Sequence, residues 1–177
     1  MVKGKFVDRR TWLGGVLAIL APLPALAFLG PQKSMDPALL PTLRFRSIVV
    51  DAGPMAAKGG RALVDLMRRV TLPALNKAFA DRLAPGDPRG LTLRVVLDSA
   101  SFAQDIGGYD ELTTPTDYLE GTGLVTGPRG EVLASYPLSA QMPNPAMNRL
   151  DQVNGNELRA QLLAEAFASW LRRGIGV

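Results

Sequence analysis

Four carboxylates stand close together in a polar part of the chain. Residues 104–111 read QDIGGYDE, and Asp105, Asp110 and Glu111, followed by Asp117, could supply the hard oxygen ligands that calcium prefers. The same residues could provide the general acid and base of glycoside hydrolysis. Their spacing does not match an EF-hand loop, and a solvated loop between two strands has the same composition. A ligand site and an ordinary loop therefore both stay open here.

A second candidate is an anion site at residues 53–61, GPMAAKGGR, which lead from a predicted strand into a predicted helix. Backbone amides at a helix N-terminus, together with Lys58 and Arg61, could hold a phosphate or a carboxylate. An ordinary strand-to-helix loop is the alternative. Residues 121–123, Gly-Thr-Gly, lack the third glycine, the lysine and the following helix of a phosphate-binding loop. We interpret these two glycines as a β-bulge or a close backbone approach.

The residue types that are missing restrict the chemistry further. The sequence has no cysteine and no histidine, so it has no thiolate nucleophile, no Ser-His-Asp triad and no cysteine zinc site. No cofactor motif is present, and we expect no cofactor. The formal net charge is +4, but four basic residues and one acidic residue lie within the first ten positions, which leaves a nearly neutral remainder. A clustered basic surface is therefore missing, and we expect no nucleic-acid partner.

The N-terminal region has the three parts of an export signal. A basic stretch ends at Arg9 and Arg10, and the uncharged residues 11–32 follow, with Trp12 and Leu13 near their start. A small-x-small site, Ala25-Leu26-Ala27, completes the signal, and we predict cleavage after Ala27. An uncleaved membrane anchor through residues 11–32 is the alternative, although two prolines interrupt that run. In both cases the body of the protein lies outside the cytoplasm.

Residues 8–13, DRRTWL, resemble a twin-arginine signal, which has paired arginines, one variable residue and two bulky apolar residues. The resemblance implies export of the folded protein across a bacterial inner membrane into the periplasm, with the translocon and signal peptidase as transient partners. Position 8 departs from the usual Ser or Thr. Export of the unfolded chain is the alternative.

Hydrophobic periodicity divides the remainder into elements. Residues 28–42 are predicted to be a linker, and residues 43–177 a single domain. The predicted elements, in chain order, are strand 43–51, helix 59–84, strand 91–98, a hairpin of strands 118–126 and 131–138, and helix 158–173. Pro73 predicts a kink or a break of the first helix near Val70. The hairpin is predicted to have a type I turn at 127–130. The last helix is predicted to have Asn154 as N-cap, Glu157 in a capping box and Gly174 as the C′ residue. The last helix carries Leu163, Ala166, Phe167 and Trp170 on one face and a second apolar group at Leu158 and Leu162. The order of elements predicts an α+β fold with a three- to four-stranded, mostly antiparallel sheet and two helices on one face.

The body resembles small β-α-β-β-α domains of Gram-negative envelope proteins, such as the amino-terminal domains of Tol-system periplasmic proteins and outer-membrane assembly lipoproteins. The matching residues are Gly121-Thr122-Gly123 and Gly130-Glu131-Val132-Leu133. The chain departs from the lipoproteins by lacking a lipidated cysteine. The resemblance implies a scaffold or assembly role. The leading hypothesis is a non-enzymatic periplasmic protein-binding domain, and the alternative is a calcium- or small-ligand-binding domain or a hydrolase that uses residues 104–117.

Overall fold

A computed structural model describes residues 32–103, 116–143 and 152–177, with side chains of the last range from residue 155 onward. Its fold is α+β, as the periodicity predicts. The leader, including the proposed cleavage site, lies outside the described residues, as do Asp105, Asp110 and Glu111. The elements, in chain order, are β1 (Phe45–Asp51), α1 (Gly53–Ala78), β2 (Leu91–Ser101), β3 (Thr116–Thr126), β4 (Val132–Pro143) and α2 (Gln152–Ile175).

The four strands form one mixed sheet in the order β1-β2-β3-β4. β1 pairs with β2 in parallel, and the other two pairs are antiparallel. Both helices pack against the sheet and against each other, so they lie on the same face. Alternation along β2 and β3 sends Leu93, Val95, Leu119 and Val125 into the core beneath the helices. The prediction of two helices on one face of a mostly antiparallel sheet is confirmed.

The first helix differs from its prediction in position and in where it breaks. It begins at Gly53 and ends at Ala78, whereas the sequence predicted residues 59–84. Its one non-helical residue is Gly60, with φ of 70°, and Pro73 lies within continuous helix. Glycine adopts that φ without a Cβ clash, so the chain breaks there. The helix therefore has no break near Val70, where the sequence predicted a kink or a break, and its break lies at Gly60.

The second helix is longer than predicted at both ends. It begins at Gln152, so Asn154 lies inside the helix and is not its N-cap. It extends to Ile175, and the glycine with positive φ that follows it is Gly176, at 90°, and not Gly174. The amide of Gly176 donates to the carbonyl oxygens of Arg172 and Arg173, and the amide of Val177 also donates to Arg172 O. These bonds satisfy carbonyl groups that lack intrahelical partners at a helix end.

The β3–β4 hairpin has the predicted turn. Gly130 N donates to Gly127 O at 3.0 Å, and Gly130 has a φ of 85°. A type II turn would need a positive φ at its third residue, which is Arg129 here. In the described parts of the chain only glycines have positive φ, so the turn is not of type II. A type I turn followed by a left-handed glycine matches the register shift seen at Thr126.

Residues 32–42, part of the predicted linker, pack against the domain. Lys33 exchanges backbone hydrogen bonds with Ser135, on the outer edge of β4. Met35 is buried, and its amide donates to the Tyr136 hydroxyl at 2.8 Å. Residues Pro37–Thr42 then form a short 3-10 helix that leads into β1.

Candidate functional site

The start of α1 is already occupied by a carboxylate of the same chain. Gly53 N donates to Asp51 Oδ1 at 3.0 Å, and Arg94 donates to Asp51 Oδ2. The hydrogen bond from Arg94, together with that from Gly53, lowers the pKa of Asp51. An acidic side chain is favourable at a helix N-terminus, so Asp51 takes the place that the sequence offered to a phosphate.

Lys58 and Arg61, the two predicted anion ligands, both lie near the start of α1. Both side chains are exposed, and the backbone break at Gly60 separates them. Lys58 lies close enough to Asp98 to oppose a rise in its pKa. Burial is the larger effect, and it raises the pKa of Asp98, with Glu120 adding to the rise.

Asp117, the only predicted acidic ligand among the described residues, lies in an ion pair. Arg159 of α2 donates from Nε to Asp117 Oδ2 at 2.8 Å and from Nη2 to Asp117 Oδ1. Ala103 N also donates to Oδ1, at 2.9 Å, while Arg159 Nη2 donates to Ala103 O at 2.8 Å. The Asp117 side chain is 6% exposed and the Arg159 side chain 15%. This pair joins the end of β2, the start of β3 and α2.

The aromatic ring of Phe102 lies beside the arginine of this ion pair. The Arg159 guanidinium carbon lies 5.3 Å from the ring centroid, a cation–π distance. Both oxygens of Asp117 already accept hydrogen bonds from the protein itself. This carboxylate therefore stabilises the contact between Ala103, just after the end of β2, and the start of β3. Within the described residues, no group of three or more acidic side chains could hold a metal ion.

Gly121 and Gly123 have the structural role that the sequence indicates. A Cβ at Gly121 would lie 2.5 Å from Val96 O, and one at Gly123 would lie 2.5 Å from Leu171 Cδ1. Gly121 stands opposite Leu97, where the β2–β3 register shifts. The interpretation as a close backbone approach at a bulge is confirmed for Gly121, whereas Gly123 leaves room for the side chain of Leu171.

A groove between the two helices is the most distinctive surface feature of the described domain. It encloses about 420 Å³ on the side of the helices away from the sheet. Leu158 and Leu162 of α2 line it and are 49% and 44% exposed. Ion pairs cross it at two levels, Arg69 to Glu157 at 3.6 Å and Lys77 to Glu165 at 3.1 Å. We call the lining residues of α1 and α2 the helix-pair groove.

The sequence indicated the α2 side of this groove but not the α1 side. Leu158 and Leu162 form a second apolar group on α2, apart from the stripe that reaches the core through Leu163 and Phe167. The spacing alone did not show that α1 would lie beside them, because that depends on how two distant helices pack. The described residues contain no helix with the length and apolar content needed to cross a membrane.

The fold and groove define a small α+β domain with an apolar, charge-bordered surface on its helical side. No family model matches the chain, and no curated protein matches its sequence. Two structures of the PelC dodecamer from Paraburkholderia phytofirmans, one of a single-residue variant, are similar in fold. The variant has a TM-score of 0.48 and 11% identity, and the other 0.48 and 10%; each match covers 82% of this chain and 94% of PelC.

A Xanthomonas campestris protein described with the family model DUF330 is also similar. Its TM-score is 0.43 at 12% identity, over 80% of this chain and 91% of that protein. Likenesses with TM-scores under 0.5 carry no argument about what this chain does. The resemblance to Tol-system domains and assembly lipoproteins stays a prediction.

Proposed function

We propose that the protein is a non-enzymatic, exported domain that binds a protein chain in the cell envelope through the helix-pair groove. The exposure of Leu158 and Leu162 over this groove carries the proposal. Large apolar side chains that lie together on a surface and are bordered by charges are typical of protein interaction sites. The leader supports export to the periplasm, and the protein partner belongs to the same compartment.

The composition of the groove favours a protein over a small molecule. Small-ligand sites are concave and enclose most of their ligand, with a few polar groups that fix its orientation. The helix-pair groove is instead long and open, and its four charged groups form two ion pairs at its borders. Such a surface fits another helix better than it fits a compact ligand.

Photo-crosslinking in cells tests this proposal. A photoreactive amino acid replaces Gln161, which lines the groove between the two leucines, and a control chain carries it at the exposed Arg89. After illumination and fractionation, we expect a discrete protein adduct at position 161 in the periplasmic fraction and none at position 89. The adduct should disappear when Leu158→Ser and Leu162→Ser are added. Absence of an adduct at position 161, or an adduct that survives the leucine substitutions, would contradict the proposal.

A further inference from the structure

We infer that the occupant of the helix-pair groove is a second copy of this chain, related to the first by a twofold axis that runs along the groove. The inference rests on the proposed function and names its partner. It follows from three properties of the groove: the register of the two helices, the shape of its two sides and the arrangement of its charges.

The two helices run parallel and in register. The ion pair from Lys77 to Glu165 joins residues 88 positions apart, and that from Arg69 to Glu157 has the same separation. The other lining residues keep this separation, so the groove has five matched levels. They are Arg69 and Glu157, Val70 and Leu158, Pro73 and Gln161, Ala74 and Leu162, and Lys77 and Glu165.

The two sides of the groove differ in height. On the α2 side, Leu158 and Leu162 protrude and are about half exposed. On the α1 side, the residues at the same levels are Val70 and Ala74, which are each only 7% exposed. A twofold axis along the groove places α2 of one copy over α1 of the other, and each residue faces the residues of its own level. It therefore places each leucine of one copy over the low side of the other, as an isologous interface requires.

The charges favour a twofold axis along the groove over a twofold axis across the helices. Both cations, Arg69 and Lys77, belong to α1, and both carboxylates, Glu157 and Glu165, belong to α2. Rotation about an axis along the groove brings Arg69 over the partner copy's carboxylate at the same level, and does the same for Lys77. A twofold axis across the helices would instead place Arg69 over Lys77 and Glu157 over Glu165. Like charges in direct contact disfavour that second arrangement.

The size of the surface indicates a weak dimer. Two helices side by side present a face about 20 Å wide, and the matched levels with their flanking turns extend over about 25 Å. The resulting contact is roughly 500 Å² on each copy, less than the roughly 800 Å² of a standard interface. We therefore expect a dissociation constant on the order of 100 µM.

Charge reversal gives a sharp test by sedimentation equilibrium. The protein is purified from the exported fraction and measured from about 5 to about 500 µM. One variant, Glu157→Arg with Glu165→Arg, has a wholly cationic groove border, and a second, Arg69→Glu with Lys77→Glu, has a wholly anionic one. We expect the parent to dimerise, each variant alone to associate at least about tenfold more weakly, and an equimolar mixture of the two to form a heterodimer.

A chain with all four charges exchanged restores the complementary pattern and should dimerise as the parent does. Leu158→Ser with Leu162→Ser should abolish association, whereas Leu39→Ser, at an exposed leucine outside the groove, should leave it unchanged. Circular dichroism verifies that each variant is folded. A parent that stays monomeric, or a mixture of the two charge variants that does not associate, would overturn the inference. A Gln161 adduct with a different protein, combined with a monomeric parent, would leave the proposed function in place and remove only the second copy.

Discussion

Replacement of Arg159 by methionine should destabilise the domain by about 3 kcal/mol. Arg159→Met keeps an unbranched side chain against Phe102 but removes the guanidinium that donates to both oxygens of Asp117. Within the part of the chain that the structure describes, the Asp117 side chain, which is 6% exposed, then keeps only the amide hydrogen bond from Ala103. Removal of one member of a buried ion pair costs about 3 to 5 kcal/mol. We take the lower end because Arg159 itself retains 15% exposure.

Urea unfolding measures this difference directly. With a slope of about 2 kcal/mol per M urea, a loss of 3 kcal/mol moves the midpoint down by roughly 1.5 M at an unchanged slope. The matched control is Asp117→Leu combined with Arg159→Met, which removes both charges. That double variant should recover part of the loss, because no buried charge is left without its partner. A single variant that loses less than about 1 kcal/mol would show that the pair is solvated like a surface ion pair, and would refute the reasoning.

Two further predictions concern the sheet. Gly121→Ala should lower the free energy of unfolding by about 2 to 3 kcal/mol, because the new Cβ meets the backbone carbonyl of Val96. Gly123→Ala should lower it by about 1 kcal/mol, because its Cβ meets only the flexible end of the Leu171 side chain. Equal losses of stability in urea unfolding would contradict this order. Burial raises the pKa of Asp98 above 3.8, so its ionised form destabilises the folded state at neutral pH. This penalty shrinks as the pH falls through the folded-state pKa and vanishes below the unfolded-state value. Asp98→Asn should therefore be more stable than the parent at about pH 7 and equal to it at about pH 3, and a difference that is the same at both pH values would contradict the assignment.

The strands were predictable because their pattern is local. Alternation over Leu91, Leu93, Val95 and Leu97 requires a half-buried strand, and the structure extends it only by the residues after the bulge. The helix boundaries were less predictable. Proline at position 73 indicated a break, yet the chain breaks at Gly60, where the backbone adopts a conformation that glycine allows. Apolar spacing cannot show which of two helix-breaking residues the tertiary packing will tolerate.

The sequence could indicate which residues have ligand-binding side chains, but not which residues those side chains contact in the fold. Asp117 has a residue type that binds ligands, and the sequence could not show that Arg159 would form an ion pair with it. Arg159 lies 42 residues from Asp117 along the chain, so the pair forms only when α2 packs against β3. The leucines of the helix-pair groove were visible as a second apolar group on α2, but their significance depends on the register with α1.

The distribution of charge and exposure gives the helix-pair groove its significance. Asp51, Asp81 and Asp117 each accept a hydrogen bond from an arginine of the same chain, so these charges stabilise the domain itself. Leu158 and Leu162 contribute less to folding than buried leucines do, because each is about half exposed.

Full burial of a leucine contributes about 1.5 to 3 kcal/mol, so half burial leaves roughly 1 kcal/mol of each side chain unused. A symmetric dimer buries four such side chains and gains roughly 4 kcal/mol of apolar free energy from them, which the entropy cost of association offsets in part or in full. The complementary charges of the groove strengthen this weak apolar contact and select its orientation. Replacement of these two leucines should therefore change association far more than stability, which is what distinguishes residues of an interface from residues of a core.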